Sequence, residues 1–147
     1  MHDVLERRAG HTAGVATVVR TVDSAPRQPG AAMVLAPNGT VAGSVSGGCV
    51  EAAVYDLTAE VVTTGAPVRH RYGISADDPF TVGLTCGGQI DVFIEAVSRD
   101  TFPQLQTVAD DIAAHRATAV ATVIAHPDKR RLGRKLVIRP DSFDGTL

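Results

Sequence analysis

The chain has no tryptophan and only two cysteines, and aromatic residues make up 4% of its 147 positions. So few rings argue against the stacking platforms that hold single-stranded nucleic acids. A net charge of -2 gives no basic face for a phosphate backbone either. No apolar run approaches the roughly 20 residues of a membrane helix. Asp3, Glu6, Arg7 and Arg8 stand near the start with no uninterrupted apolar run behind them, so no signal peptide is expected and the cytoplasm is the expected compartment. Thiols there stay reduced, so a structural disulfide between Cys49 and Cys86 is not the expectation. Metal spacing is missing too. There is no Cys-x-x-Cys, and His2, His11, His70, His115 and His126 are scattered. No Gly-x-x-x-x-Gly-Lys-Ser/Thr occurs, nor a Gly-x-Gly-x-x-Gly after a strand, which argues against a nucleotide-binding loop within these residues.

What is present is enough apolar material, 44%, for one compact domain at this length. Asp3 to Ala9 reads as a short helix ending at Gly10. Gly14 to Thr21 is a β-branched run and reads as a buried strand. Ser24-Ala-Pro-Arg-Gln-Pro-Gly30 is a loop. Ala31 to Ala36 and Thr40 to Ser44 read as the arms of a hairpin, with Asn38-Gly39 suited to a type I′ turn. Val50, Val54, Leu57 and Val61 are spaced four, three and four, one stripe of a helix from about Cys49 to Thr63 that Gly65 and Pro67 stop. Val68 to Ser75 reads as a strand and Ala76 to Pro79 as a turn. Ile90, Val92 and Ile94 alternate with Asp91, Phe93 and Glu95, a half-buried pattern with its carboxylates toward solvent. Pro103 opens a second helix with Leu105, Val108, Ala109, Ile112 and Ala113 on one face. Thr118 to Ala125 and Lys135 to Arg139 complete the strands. The fold class expected is α/β (mixed α+β), a single domain with a mixed, hairpin-rich sheet and two main helices.

The chain also echoes itself. Ala16-Thr-Val-Val19 recurs as Ala121-Thr-Val-Ile124. Gly30, Met33, Val34, Leu35 and Pro37 are matched by Gly133, Leu136, Val137, Ile138 and Pro140. Gly39-Thr40-Val41 is then matched by Gly145-Thr146-Leu147, which would place the last residues inside a hairpin.

Each cysteine lies beside a glycine pair, in Gly43-Ser-Val-Ser-Gly-Gly-Cys-Val-Glu51 and in Leu84-Thr-Cys-Gly-Gly88. A thiol at a helix start is pushed toward thiolate, a nucleophile and a soft metal ligand, by the unpaired amides and the dipole there. The same amides suit a phosphate. The plain alternative is a small buried hydrophobe in a tight turn. Two such loops in one chain are hard to explain by packing alone, and both can face one ligand. Arg27, displayed between two prolines, suits an anion, or is a solvated arginine. Glu51 falls in the first helical turn, where the dipole stabilises a carboxylate in any case. Lys129-Arg-Arg-Leu-Gly-Arg-Lys135 reads as a charged surface turn.

Ser24-Ala-Pro-Arg27, Gly43 to Glu51 and Gly83-Leu-Thr-Cys-Gly-Gly88, in this order and spacing, resemble the N-terminal domain of the XdhC/CoxI family, over most of the chain from about Gly14. The resemblance implies an accessory protein for molybdenum hydroxylases such as xanthine dehydrogenase or carbon monoxide dehydrogenase. It implies a chaperone that binds the molybdenum cofactor and passes it from a cofactor-synthesis or sulfurase protein to the apo-enzyme, without turnover of its own. Carried onto this chain, the cofactor-handling residues are Cys49, Cys86, Ser46, Gly47, Gly48, Gly87 and Gly88, with Arg27 and Glu51, and the two thiols are the candidate metal ligands. On this resemblance residues 1–147 are the N-terminal domain, without the Rossmann-like C-terminal domain that family members often carry. The rival reading is an enzyme, a sulfur carrier or redox catalyst working through Cys49 and Cys86.

Overall fold

The computed structural model describes residues 11–73, 84 and 87–147. Contacts gather into two compact units, one ending at Ala96 and one spanning Val97–Leu147. Each unit has its own sheet. The mixed α/β class with two main helices holds. The helix expected over Asp3 to Ala9 and the turn at Ala76 to Pro79 lie outside the described residues.

In the first unit, β1 (Ala13–Val22), β2 (Ala32–Leu35), β3 (Val41–Gly43), β4 (Val68–Gly73) and β5 (Gln89–Val97) form one sheet in the order β3-β2-β1-β5-β4. Helix α1 (Glu51–Thr64) covers one face of it. The β1 side chains alternate, and the buried set, Ala16 and Val18, shares a face with Gly14. Gly14 is where the helix comes closest. A Cβ added there would lie 2.2 Å from the Thr58 Cγ2 of α1. The stripe of α1 is Val54, Thr58 and Val61, with Val50 buried just before the helix. Thr58 is tolerated in the core because its hydroxyl donates to the Val54 carbonyl at 2.6 Å. Gly65 ends the helix in the left-handed region, its amide returning to the Val61 carbonyl at 2.8 Å. Met33, Val45, Val50, Val54, Leu84, Ile90, Val92 and Ile94, all almost fully buried, complete this core. Each contributes on the order of 1.5–3 kcal/mol of burial.

Two local expectations are corrected. The β2–β3 turn is not type I′, because Asn38 does not have positive φ. Pro37 and Asn38 are its central residues, the Gly39 amide donates to the Ala36 carbonyl at 2.9 Å, and Gly39 alone is left-handed. Pro37 fixes φ for the first central position, which favours a type I turn followed by a glycine bulge. Strand β5 is also covered on both faces, so Asp91 (4% exposed) and Phe93 (2%) are buried with the apolar residues.

The second unit holds α2 (Leu105–Ala113), β6 (Ala119–Thr122), a 3-10 turn at Lys129–Arg131, β7 (Lys135–Ile138) and β8 (Phe143–Gly145), with strand order β6-β7-β8. Its core is small, formed by Phe102, Val108 and Val137. The α2 face is not the expected one. Leu105 and Ile112 are exposed, while Asp111 is buried. The charge is accommodated because Arg116 Nε and Arg139 Nε donate to its two oxygens at 2.8 and 2.6 Å. Those arginines hold the Asp111 carboxyl below its ordinary range.

The internal echo is structural. Ala16 pairs with Met33 and Thr17 with Ala32; in the second unit Ala121 pairs with Leu136 and Thr122 with Lys135. In the first unit Val18 N bonds Ala31 O and Gly30 N bonds Val18 O, both at 2.8 Å. In the second, Val123 N bonds Arg134 O at 3.0 Å and Gly133 N bonds Val123 O at 2.9 Å. The third strand corrects the alignment, since Gly145 corresponds to Gly43 rather than to Gly39. Gly43 is registered with Met33 and Gly145 with Leu136. Both glycines have positive φ, and a Cβ would lie 2.2 Å from the Ala32 carbonyl in one and 2.3 Å from the Lys135 carbonyl in the other. Residues 143–145 are therefore the paired third strand of the second copy, in a hairpin with β7. The two copies bury opposite faces. Met33 and Leu35 are buried in the first, whereas Ile138 (42%) and Phe143 (76%) are exposed in the second and Val137 turns inward.

Candidate functional site

The stretch from Gly43 to Glu51 joins β3 to α1. Gly43, at φ 81, turns the chain off the sheet. The loop then closes on one carboxylate. Oε1 of Glu51 accepts from the Ser44 hydroxyl (2.7 Å), the Val45 amide (3.2 Å) and the Ser46 amide (2.9 Å). Oε2 accepts from the Gly48 amide (2.9 Å) and from the Ser46 hydroxyl. The Gly47 amide donates to Ser44 Oγ at 2.8 Å, and the Val50 amide to Ser46 Oγ at 3.0 Å. Burial alone raises the Glu51 pKa, but the hydrogen bonds from Ser46 and Ser44 outweigh it and bring it down to about 2.

This arrangement reassigns several residues. Glu51 is the keystone of the loop. Ser46 is buried, and its hydroxyl both donates to Glu51 and accepts from Val50. The amides of Gly47 and Gly48 are turned onto the chain's own oxygens. An internal carboxylate thus takes up amides of the loop that leads into the helix. What Gly47 and Gly48 offer a ligand is exposed backbone without side chains. Cys49 lies one residue before the N-cap Val50, not in the first helical turn; it is half-buried and packs against the edge of the core. Ser44, which the sequence pattern does not single out, supplies two of the loop's contacts. Its signal is a second serine two residues before Ser46.

The other motifs meet this loop through Ser24-Ala-Pro-Arg27. A Cβ on Gly47 would lie 3.9 Å from Pro26 Cβ, and one on Gly88 would lie 2.0 Å from the Ser24 carbonyl oxygen. Ala25 packs against the same core as Cys49. Two glycine pairs, about forty residues apart in sequence, thus flank one short loop. Gly88 is buried by that contact and Gly87 is exposed, its amide bonded to the carbonyl of the buried Leu84 at 3.0 Å. Arg27 is exposed at the tip. Cys86 lies outside the described residues, so its expected approach to Cys49 stands as an expectation. Among the described residues no group of three or more His, Cys, Asp or Glu could hold a metal ion.

Asp91 forms a separate cluster. Arg71 Nε and an Arg71 amino group donate to its oxygens at 2.6 and 3.1 Å, and Arg69 donates to Oδ2. These arginines, Arg71 first, hold the Asp91 pKa down to about 2. They reach it from β4, whose Arg69 and Arg71 are registered with Phe93 and Asp91.

The fold and the loops define a mixed α/β module that presents bare backbone, one half-buried thiol and an exposed arginine around a rigid turn. The model of the XdhC and CoxI family matches residues 6–73 of the chain. It is 39% identical over 82 residues to the molybdenum cofactor insertion chaperone PaoD of Escherichia coli, an overlap of 56% of this chain and 26% of that protein. It is 31% identical over 112 residues to a probable xanthine dehydrogenase subunit from Bacillus subtilis, covering 75% of this chain and 33% of that one. The crystal structure of a Bacillus halodurans protein described as a xanthine dehydrogenase superposes with a TM-score of 0.74 at 25% identity, over 99% of this chain and 44% of that one. The chain therefore spans a quarter to a third of the length of the Escherichia coli and Bacillus subtilis relatives. No helix among the described residues is long and apolar enough to cross a membrane.

Proposed function

We propose that this chain is an accessory module for molybdenum enzymes that binds the molybdenum cofactor as cargo and passes it to an apo-hydroxylase. The observation that carries this reading is the convergence of the three family motifs. The Ser24–Arg27 loop has Gly47 against one residue and Gly88 against another. The match to the family model over residues 6–73 and the likeness to an insertion chaperone support it.

The residues suit such a cargo. A flat ring needs side-chain-free approach, which Gly47, Gly48 and Gly87 supply at the surface. An anionic phosphate needs an exposed cation, and Arg27 is one. The Gly48 amide is not available to a phosphate, because it already donates to Glu51. A soft metal centre suits a thiolate, with Cys49 at the loop's end and Cys86 on the second loop. Xanthine dehydrogenase or carbon monoxide dehydrogenase as target, a cofactor-synthesis or sulfurase protein as donor, and a cytoplasmic location belong to the same proposal.

The test is anaerobic retention of isolated molybdenum cofactor by the wild type beside Cys49→Ser and Cys86→Ser. Retention by the wild type with loss in one variant is expected. A folded wild type that retains nothing overturns the reading. Persulfide accumulating on Cys49 would favour a sulfur-carrier enzyme instead.

A further inference from the structure

The two copies of the repeat differ in what covers them. In the first unit Gly14, Leu35 and Val41 are paired in one row across β1, β2 and β3, on the face against which α1 packs. The helix comes closest at the small end of that row, where Thr58 stands over Gly14. Leu35 is 7% exposed in consequence, and Met33 on the same face 1%. The equivalent row of the second unit is Ala119, Ile138 and Phe143, which also runs from small to large. Here the face is open, with Ile138 42% and Phe143 76% exposed. Helix α2 does not cover it, because Val108 joins Phe102 and Val137 on the opposite face of the sheet. An apolar face of this kind, left bare in one copy of a repeat and covered in the other, marks an interaction surface.

Charge narrows what fits it. The helix that covers the first face is acidic, with Glu51, Asp56 and Glu60 and no Lys, Arg or His among its residues. The loop that enters α1 passes the turn before β2, where a Cβ on Gly47 would lie 3.9 Å from Pro26 Cβ. The corresponding turn of the second unit is built alike. Ala31 N donates to Gln28 O at 3.1 Å in one, and Arg134 N to Arg131 O at 3.2 Å in the other. Counted back from Gly30 and Gly133, Pro26 thus corresponds to Lys129. That turn carries Lys129, Arg130, Arg131 and Arg134, all exposed, against one acid, Asp128, which pairs with Arg130. A helix lying on this face as α1 lies on the first would bring its N-terminus to these cations. Acids in a first helical turn are favoured by the dipole and here also by the turn.

We propose that the Ala119–Ile138–Phe143 face of the second unit seats an amphipathic helix of a partner protein. That helix is acidic in its first turn, and its apolar stripe of small and β-branched residues is spaced like Val54, Thr58 and Val61 of α1. The seat lies in the second unit and does not depend on the chaperone reading. Its chemistry is that of helix-face recognition, with the apolar row supplying affinity and the basic turn supplying direction.

The probe is a fluorescently labelled peptide of residues 50–65, which carries the α1 stripe and its three acids. Its binding to the 147-residue chain is followed by anisotropy, wild type beside Phe143→Ser and Lys129→Glu. Both side chains are exposed, and far-UV circular dichroism verifies that the variants fold. Saturable binding to the wild type is expected, about tenfold weaker in Phe143→Ser, the scale of a lost ring contact. Binding to Lys129→Glu should be weaker and less sensitive to salt. No saturable binding, or equal affinity for the wild type and Phe143→Ser, overturns the seat. Equal affinity and salt dependence in Lys129→Glu overturns the acidic first turn. A wild type that light scattering finds dimeric, with Phe143→Ser monomeric, gives the face to a second copy of the chain and overturns the partner helix.

Discussion

Ser46 and Glu51 are bonded to each other twice. The Ser46 amide donates to Oε1 at 2.9 Å and the Ser46 hydroxyl to Oε2, while that same hydroxyl accepts from the Val50 amide at 3.0 Å. The turn between β3 and α1 is held by this pair and not by the glycines. The glycines make the path sterically open; the carboxylate selects one conformation of it.

Glu51→Gln should therefore loosen the loop while leaving the helix in place. It keeps the shape and replaces a charged acceptor with a neutral one and a misplaced donor. A loss of roughly 1–3 kcal/mol is expected, with faster amide exchange at Val45, Ser46 and Gly48. Exchange rates equal to the wild type would show that the carboxylate does not hold these amides.

The acid dependence follows from the same group. The folded-state pKa of Glu51 is about 2, against an ordinary 4.5, and that of Asp91 about 2, against 3.8. A depressed folded value means that the contribution is complete above the unfolded pKa. It is lost as pH falls through the folded one. Stability should thus decline from about pH 4.5 toward pH 2, and urea titrations should find a shallower decline in Glu51→Gln. An identical slope in the two proteins would refute the assignment.

Asp91→Asn tests the arginine cluster. Removing one member of a fully buried pair costs about 3–5 kcal/mol. Here Arg69 and Arg71 side chains are 37% and 52% exposed, so both rehydrate once released. A smaller loss of roughly 1–3 kcal/mol is expected in chemical denaturation, and a loss at the full buried-pair value would mean that the arginines stay sequestered.

Gly88→Ala should disturb the Ser24–Arg27 loop, because its Cβ would stand 2.0 Å from the Ser24 carbonyl. Gly87→Ala meets nothing within 4 Å and carries only the strain of φ 77. Losses of roughly 2–3 and 1 kcal/mol, in that order, follow from overpacking against conformational strain. Limited proteolysis near Arg27 should rise in Gly88→Ala alone. Equal effects from the two substitutions would break the link between the second glycine pair and that loop.

The internal repeat makes a paired prediction. Gly43→Ala and Gly145→Ala meet the same obstacle, a carbonyl oxygen at 2.2 or 2.3 Å. Each should destabilise its own unit by roughly 2 kcal/mol. Hydrogen exchange resolves the two units, and a variant whose exchange is unchanged would remove that glycine from the equivalence.

Much of the local order is legible in the sequence. The β1 run, the β2–β3 hairpin, the helix stop at Gly65 and the repeated strand pair all follow from side-chain period and backbone-permissive residues, which act over a few positions. The glycine pairs do mark backbone approaching something closely, although Gly88 approaches the Ser24 carbonyl and Gly48 bonds to Glu51. The type I′ turn expected at Asn38-Gly39 is displaced by one residue because Pro37 claims the first central position. Gly145 aligns with Gly39 in sequence because glycine followed by threonine recurs, while the hydrogen-bond register matches it to Gly43.

The chain by itself determined most of the described strands and both described helices, that two of its hairpins are alike and which family its motifs resemble. Each of these depends on interactions between near neighbours or on a pattern of residue types. Tertiary structure decided which polar groups are structural. Glu51 and Asp91 both sit at positions that the local pattern assigns to solvent or to a helix dipole. Only the arrival of Ser44, Ser46 and Gly48 in one case, and of Arg69 and Arg71 in the other, turned them inward. A charge is buried where its partners are, and the partners of Asp91 come from another strand, 20 and 22 residues away along the chain.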